Sequence, residues 1–267
     1  MNHKLKKLII ITLTFIFTLG ILLIADRYLY QKQEAKLQNE LDVIKTSEAI
    51  AVKDFTATYS SIPMIISPIK LEAINKLGES FSTNSINCQN LAKKIPYYNI
   101  FALDQVFKFK NSLNKVCDFS KSSYQTTTYL TEINTIILRY NQLALGDPQF
   151  NLYSSTQPET LQAYDKQLAK YTLLQTELQD LSITDQMKPL ITAFNRCFIL
   201  RTDFIAAQKE KQLKLQTEST NLSGKSAWDL RTALAAETAS LQTEFQVKYQ
   251  TELTTLTNEY NNIFTLN

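Results

Sequence analysis

The chain is 267 residues long, enough for one large or two modest domains with a buried core. Only four glycines and six prolines occur among plentiful Leu, Thr, Gln, Lys, Ala and Glu, and so few turn residues favour long helices. The net charge of +3 belongs to the N-terminus: taking Lys4, Lys6, Lys7 and Arg27 from the 28 basic residues and Asp26 from the 25 acidic ones leaves a balanced remainder. That remainder lacks the basic stripe of a nucleic-acid binder, so no nucleic-acid partner is expected.

Residues 1–7 form a short basic tail, followed by an apolar run from Leu8 to Ala25 that carries no charge and only Thr12, Thr14, Thr18 and Gly20 as mild exceptions. As a helix it is about 27 Å long, close to the roughly 30 Å hydrocarbon core of a bilayer. The run predicts a membrane partner through residues 8–25. Lys4, Lys6 and Lys7 precede it and give the topology signal: a cytoplasmic N-terminus, with everything after the helix on the extracytoplasmic side. Tyr28 and Tyr30 follow, where amphipathic rings settle at headgroup level, and are the expected interfacial anchors. A cleaved signal peptide is the rival reading, but Leu23 occupies the position where a small side chain is wanted before a cut at Ala25, and the run is longer than a usual signal core.

From Asp26 to Ser60 there is neither proline nor glycine, so the membrane helix is expected to continue as a stalk over 26–62. Leu37, Leu41, Ile44, Ala51 and Phe55 recur at three- and four-residue spacing, with Glu48 breaking the apolar line. That is too short for a firm coiled coil; packing on the chain's own domain competes with a homo-oligomer. Pro63 and Pro68 break helix, and residues 63–98 read as a short helix ending near Gly78 followed by a Ser/Thr/Asn-rich loop over Glu79–Asn90.

Helical period returns over 99–267. Ala102, Val106, Phe109, Leu113 and Val116 share one face, and Tyr129, Ile133, Ile136, Tyr140 and Leu143 another, with a bend or split expected around Ser120–Thr128. Gly146-Asp147-Pro148 ends that helix by turn chemistry. A further helix is expected from about Pro158, with Leu161, Tyr164, Leu168, Tyr171, Leu174, Leu178 and Leu181 inward. The next opens at a Ser182 or Thr184 cap and carries Leu190, Phe194, Cys197 and Phe204. After a turn at Gly224, the last runs to about Phe264 with Trp228, Leu234, Leu241, Phe245, Tyr249, Leu253, Leu256, Tyr260 and Ile263 inward. The predicted fold class is therefore all-α: a transmembrane helix continuing into a stalk, then an antiparallel bundle of four or five long helices.

The single histidine, His3, lies in the tail, which removes imidazole from any triad, zinc or di-iron site in the main domain. No catalytic, cofactor or metal residues are therefore assigned. Cys88 and Cys117 are a possible disulfide, worth about 3 kcal/mol on the chain-entropy model, set against a reading as two buried small apolar residues; Cys197 lies on an apolar face and reads as core. Glu237, Glu244, Glu252 and Glu259 line one face of the last helix and read as solvated, while Lys108, Lys110 and Arg201 near apolar faces read as snorkelling. The expected function is a non-enzymatic, membrane-anchored envelope or cell-surface protein with a scaffold, spacer or docking role and a protein partner. A ligand-binding or sensory bundle is the alternative, and a carboxylate hydrolase the third reading.

Overall fold

A computed structural model describes residues 3–59, 67–95, 103–153 and 158–265. It is all-helical: α1 (His3–Tyr59), α2 (Pro68–Lys93), α3 (Leu103–Leu145), α4 (Pro158–Gln179), a short 3-10 turn (Asp185–Met187), α5 (Lys188–Ser219) and α6 (Gly224–Thr265), with no strand among the described residues. The expected break at Pro63 and the inward position Ala102 lie outside the described residues, and of Tyr260 and Ile263 only their place in the last helix is described.

The first helix is 57 residues, about 86 Å long at 1.5 Å per residue. Its first third is apolar on every side, and Leu8, Phe15, Phe17 and Ile24 are all exposed. One helix long and apolar enough to cross a membrane thus lies near the N-terminus.

The chain folds into two compact units, one of residues 1–54 with 76–127 and the other of 55–75 with 128–267. In the first, Leu37, Leu41 and Ile44 of α1 enter a core with Cys88 and Leu91 of α2 and Phe109 and Leu113 of α3. The segment expected as a stalk is therefore built into a domain, because its three- and four-residue apolar spacing finds its partner within the chain. The helices α2 and α3 meet through Phe81 on Phe119, ring centroids 6.5 Å apart.

The short helix and loop expected over 63–98 need correction. Glu79–Asn90 is the middle of the 26-residue α2. Its hydroxyls hydrogen-bond back one turn, Ser80 Oγ to the Lys76 carbonyl at 3.1 Å and Thr83 Oγ1 to that of Glu79 at 2.9 Å, so they are satisfied on the helix. Gly78 caps nothing: a Cβ there would lie 3.3 Å from Thr127 Oγ1, so glycine allows close approach of α3. The helix is not split at Ser120–Thr128: α3 runs through as 43 continuous residues, where Thr126 Oγ1 donates to the Ser122 carbonyl at 2.9 Å.

The second unit has an aromatic interior. Tyr140, Tyr164, Tyr171, Phe194 and Phe198 are fully buried, and the Tyr140 ring meets those of Tyr171, Phe194 and Phe198 edge-on at 5.5, 5.6 and 4.8 Å. Along α5 and α6, Arg196 pairs with Glu252, Phe204 stacks on Phe245, and Lys211 pairs with Glu237. Helix boundaries follow the turn residues, with α3 ending beside Gly146 and α4 opening on Pro158 and Glu159. Thr184 stands before the 3-10 turn without a side-chain capping bond. Trp228, expected inward, is 61% exposed: it lies in the first turns of α6, ahead of Leu234, the first of that helix's buried apolar positions.

Candidate functional site

Two buried polar centres stand out, one in each unit. In the second, the turn after α3 directs Asp147 inward onto α5. Arg201 Nε lies 2.6 Å from Asp147 Oδ2, with side-chain exposures of only 15% and 4%. Asp147 Oδ1 accepts from the Tyr171 hydroxyl and from Gln167 Nε2, each at 2.9 Å, while Arg201 Nη2 donates to the Ala144 carbonyl at 3.2 Å. The guanidinium also sits 5.0 Å from the Phe245 ring centroid and 5.9 Å from that of Tyr249. Burial and the neighbouring Asp147 carboxylate raise the Tyr171 phenol, so it remains a hydrogen-bond donor. Beyond the turn, Asn151 N–H donates to Gln212 Oε1 at 3.0 Å, and Gln212 Nε2 returns a bond to the Asn151 carbonyl at 3.2 Å. The turn is thus fixed to α5 at two places.

In the first unit, Glu48 of α1 is 5% exposed and meets Ser120 of α3 and Asn84 of α2. Burial raises its carboxyl, and the hydrogen bonds from Ser120 and Asn84 oppose the rise without cancelling it. Three helices thus meet at one acid and two neutral polar side chains.

No protein-family model matches the sequence, and comparison with characterised proteins and with solved structures yields no match. What these centres do must come from their chemistry. The Asp147 carboxylate has both oxygens engaged by protein groups, which suits a cross-link better than a base. Cys197 is buried and its thiol is pushed up to about 12 by that burial, so it is a poor nucleophile.

Of the residues singled out in the sequence, Cys88 and Cys117 are bonded to one another, their Cα atoms 5.4 Å apart, and tie α2 to α3. Lys6 and Lys7 are exposed ahead of the apolar run, and Lys4 lies in the same helix. Tyr28 is exposed just after the run, but Tyr30 is 2% exposed and is not free to anchor at a headgroup. Two residues of helix turn it about 200° away from Tyr28, so the pair cannot face the same surroundings. The α6 carboxylates do not face one another: Glu237 pairs with Lys211 at 2.7 Å, Glu244 with Lys248, and Glu252 with Arg196 at 2.9 Å.

Arg201 is a correction of a different kind. Sequence spacing places it beside an apolar face and suggests a side chain reaching for water, yet its charge is met inside by Asp147. Asp147 itself reads only as a turn residue, and nothing local joins two positions so far apart in the chain.

Proposed function

We propose that this is a single-pass membrane protein whose N-terminus is cytoplasmic and whose helical units lie on the extracytoplasmic side, where they serve as a non-enzymatic scaffold, spacer or docking surface for another protein. The observation that carries this is the apolar run of α1, exposed on all sides yet continuous with a helix whose later turns are core. Exposed apolar surface of that extent is costly in water and satisfied in lipid. Two independent features favour the orientation. The lysines lie before the run, as expected on a cytoplasmic side, and a bonded Cys88–Cys117 pair after it suits an oxidising compartment.

The finer arrangement in this proposal is an antiparallel bundle. Supporting it, partner numbers on α6 fall as those on α5 rise, from Arg196 with Glu252 through Phe204 with Phe245 to Lys211 with Glu237. The same descent relates α4 to α5, where Gln175 meets Asn195 and Asp165 meets Lys209. Interlocked aromatic rings occupy the interior where a ligand of a sensory bundle would sit, which weighs toward a scaffold.

The test is protease protection of right-side-out membrane vesicles carrying separate tags at the two ends. The C-terminal tag should be lost to external protease and the N-terminal tag retained, with the protein resisting alkaline extraction. Release by alkaline wash or protection of the C-terminal tag sinks the proposal. In-cell crosslinking followed by capture through the C-terminal tag then asks for the partner; recovery of the protein alone would count against docking.

A further inference from the structure

We propose that the membrane-facing end of the first unit is a basic rim that rests on anionic phospholipid headgroups. This depends on the membrane reading above and specifies what the unit meets at the bilayer surface.

Height comes first. The apolar run ends at Ala25, and Tyr30 of the same helix is already buried. Five residues of helix rise about 7.5 Å, close to the depth of one headgroup layer. Folded structure therefore starts at the edge of the bilayer, with no free length of helix between them. Partner numbers place two more helix ends on that side. Glu48 meets Asn84, and Glu40 pairs with Lys94 at 2.6 Å, so α2 runs back toward the membrane. Phe81 meets Phe119 and Cys88 Sγ meets the Leu113 carbonyl, so α3 starts near the membrane and runs away from it. With Ser120 against Glu48, Lys108 stands at the height of Lys36.

Charge follows the same axis. On the membrane side of the Cys88–Cys117 bond, residues 26–44 and 89–116 hold eight basic and five acidic residues. On the far side of this unit, residues 45–54, 76–87 and 118–127 hold four of each. Two of the five acids are already met, Glu40 by Lys94 and Asp42 by Lys45. Lys32 and Lys36 of α1, Lys93 of α2, and Lys108 and Lys110 of α3 are exposed and enter no salt bridge among the described residues.

Lys32 lies about 10 Å above the end of the run, and Lys36 and Lys108 about 16 Å, which brings their long stems within about one Debye length of the headgroups. Phe107, exposed beside Lys108, adds an aromatic ring to the rim. A lean of about 20° toward α3, usual for a membrane span, would lower that side by about 5 Å. Basic side chains with an exposed ring at such a height suit negatively charged lipid over zwitterionic lipid. An acidic protein would also meet the charge, but the bilayer is brought to this rim by the same helix that carries it.

The test places the full chain in nanodiscs of phosphatidylcholine alone and of phosphatidylcholine with phosphatidylglycerol. Acylation of each lysine by a water-soluble ester is then followed by mass spectrometry. Lys32, Lys36 and Lys108 should react at least about threefold more slowly in the anionic discs, and about 1 M salt, where the Debye length falls to about 3 Å, should erase the difference. Lys53 and Lys121, across the disulfide, should react alike in both. Spin-labelled phosphatidylglycerol should be restricted less by a variant carrying Lys32→Gln, Lys36→Gln, Lys108→Gln and Lys110→Gln than by the wild type, the N-terminal lysines being common to the two. Equal rates in the two discs, or unchanged lipid restriction in the variant, overturns the rim. So does slowing as large at Lys53 and Lys121, which would belong to the disc surface in general. Slowing in native membranes but not in anionic discs would make the occupant an acidic protein and overturn the lipid. Each of these outcomes leaves the anchor standing where the chain resists alkaline extraction from native membranes; release there overturns the membrane reading itself, and this inference with it.

Discussion

The two units solve one problem, fixing long helices in register, with different chemistry. The first joins α2 to α3 by a disulfide and places a buried acid among hydroxyl and amide groups. The second uses an ion pair set against aromatic rings. Apolar faces alone permit helices to slide by a turn at modest cost, whereas a bond or a buried charge pair has a single position. The difference teaches that a covalent tie leaves the nearby core free to be aliphatic and hydroxylated, while a non-covalent tie must be enclosed by large rings to be worth having.

The largest effect is expected from breaking the ion pair. Arg201→Leu leaves Asp147 buried with only Tyr171 and Gln167 as partners, and loss of one member of such a pair costs about 3–5 kcal/mol. Near-ultraviolet circular dichroism of the detergent-solubilised protein, which reports the packing of Tyr140, Tyr171 and Tyr249, should melt at clearly lower temperature. The double change Arg201→Leu with Asp147→Asn should recover part of the loss, because no charge is then stranded. A cost below about 1 kcal/mol for Arg201→Leu would reduce the pair to a surface contact and erase the contrast between the units.

Next comes the disulfide. Cys88→Ser should destabilise the first unit by about 3.6 kcal/mol on the chain-entropy model, since the bond closes a loop spanning 29 residues. Limited proteolysis within α2 and α3 should accelerate, while cleavage in α5 and α6 stays unchanged. Equal acceleration in all four helices would mean that the two units unfold together.

Sequence made one side of this contrast legible and hid the other. Apolar spacing, Gly146-Asp147-Pro148 and Pro158 mark the helices because each acts through its own backbone. The Ser/Thr/Asn-rich centre of α2 misleads because composition alone does not show hydroxyls bonding back to the preceding turn, nor that Asn84 and Ser85 are buried. Pairing of Asp147 with Arg201 was out of reach, since a turn residue and a basic residue on a helix each have an adequate local explanation. Glu48 was visible only as a flaw in an apolar line; a buried acid at such a flaw is a signal worth following to other helices.

A smaller effect is expected inside the aromatic core. The Tyr140 hydroxyl lies 3.3 Å from the Cys197 carbonyl and also shares a hydrogen bond with the Tyr249 hydroxyl, so Tyr140→Phe keeps the ring contacts and loses only these polar ones. The cost should be about 1 kcal/mol by thermal melting, against about 3–5 kcal/mol for Tyr140→Ala, taking large aromatic truncations as the guide. Equal costs for the two variants would mean that the hydroxyl, and not the ring, holds this core.

The subtlest prediction concerns pH and the buried acid of the first unit. Ser120 Oγ lies against Glu48 and also 2.9 Å from the Val116 carbonyl, but a hydroxyl has one hydrogen to give. If Glu48 is protonated, it donates to Ser120 and Ser120 donates to Val116, so every hydrogen is used once. The raised carboxyl agrees with that arrangement. A group whose folded pKa lies above its unfolded value contributes stability that is full below the unfolded pKa and is lost as pH rises through the folded one. The first unit should therefore gain stability on acidification through the range just above the ordinary glutamate value. Glu48→Gln keeps a donor toward Ser120 without a charge to bury, so it should raise stability at neutral pH and flatten this dependence. Proteolysis of α2 followed from neutral to mildly acidic pH should show it becoming more protected in the wild type and no longer doing so in Glu48→Gln. If α2 loses protection on acidification in the wild type, Glu48 is ionised in the folded protein, and the neutral polar layer that distinguishes the first unit from the second is not there.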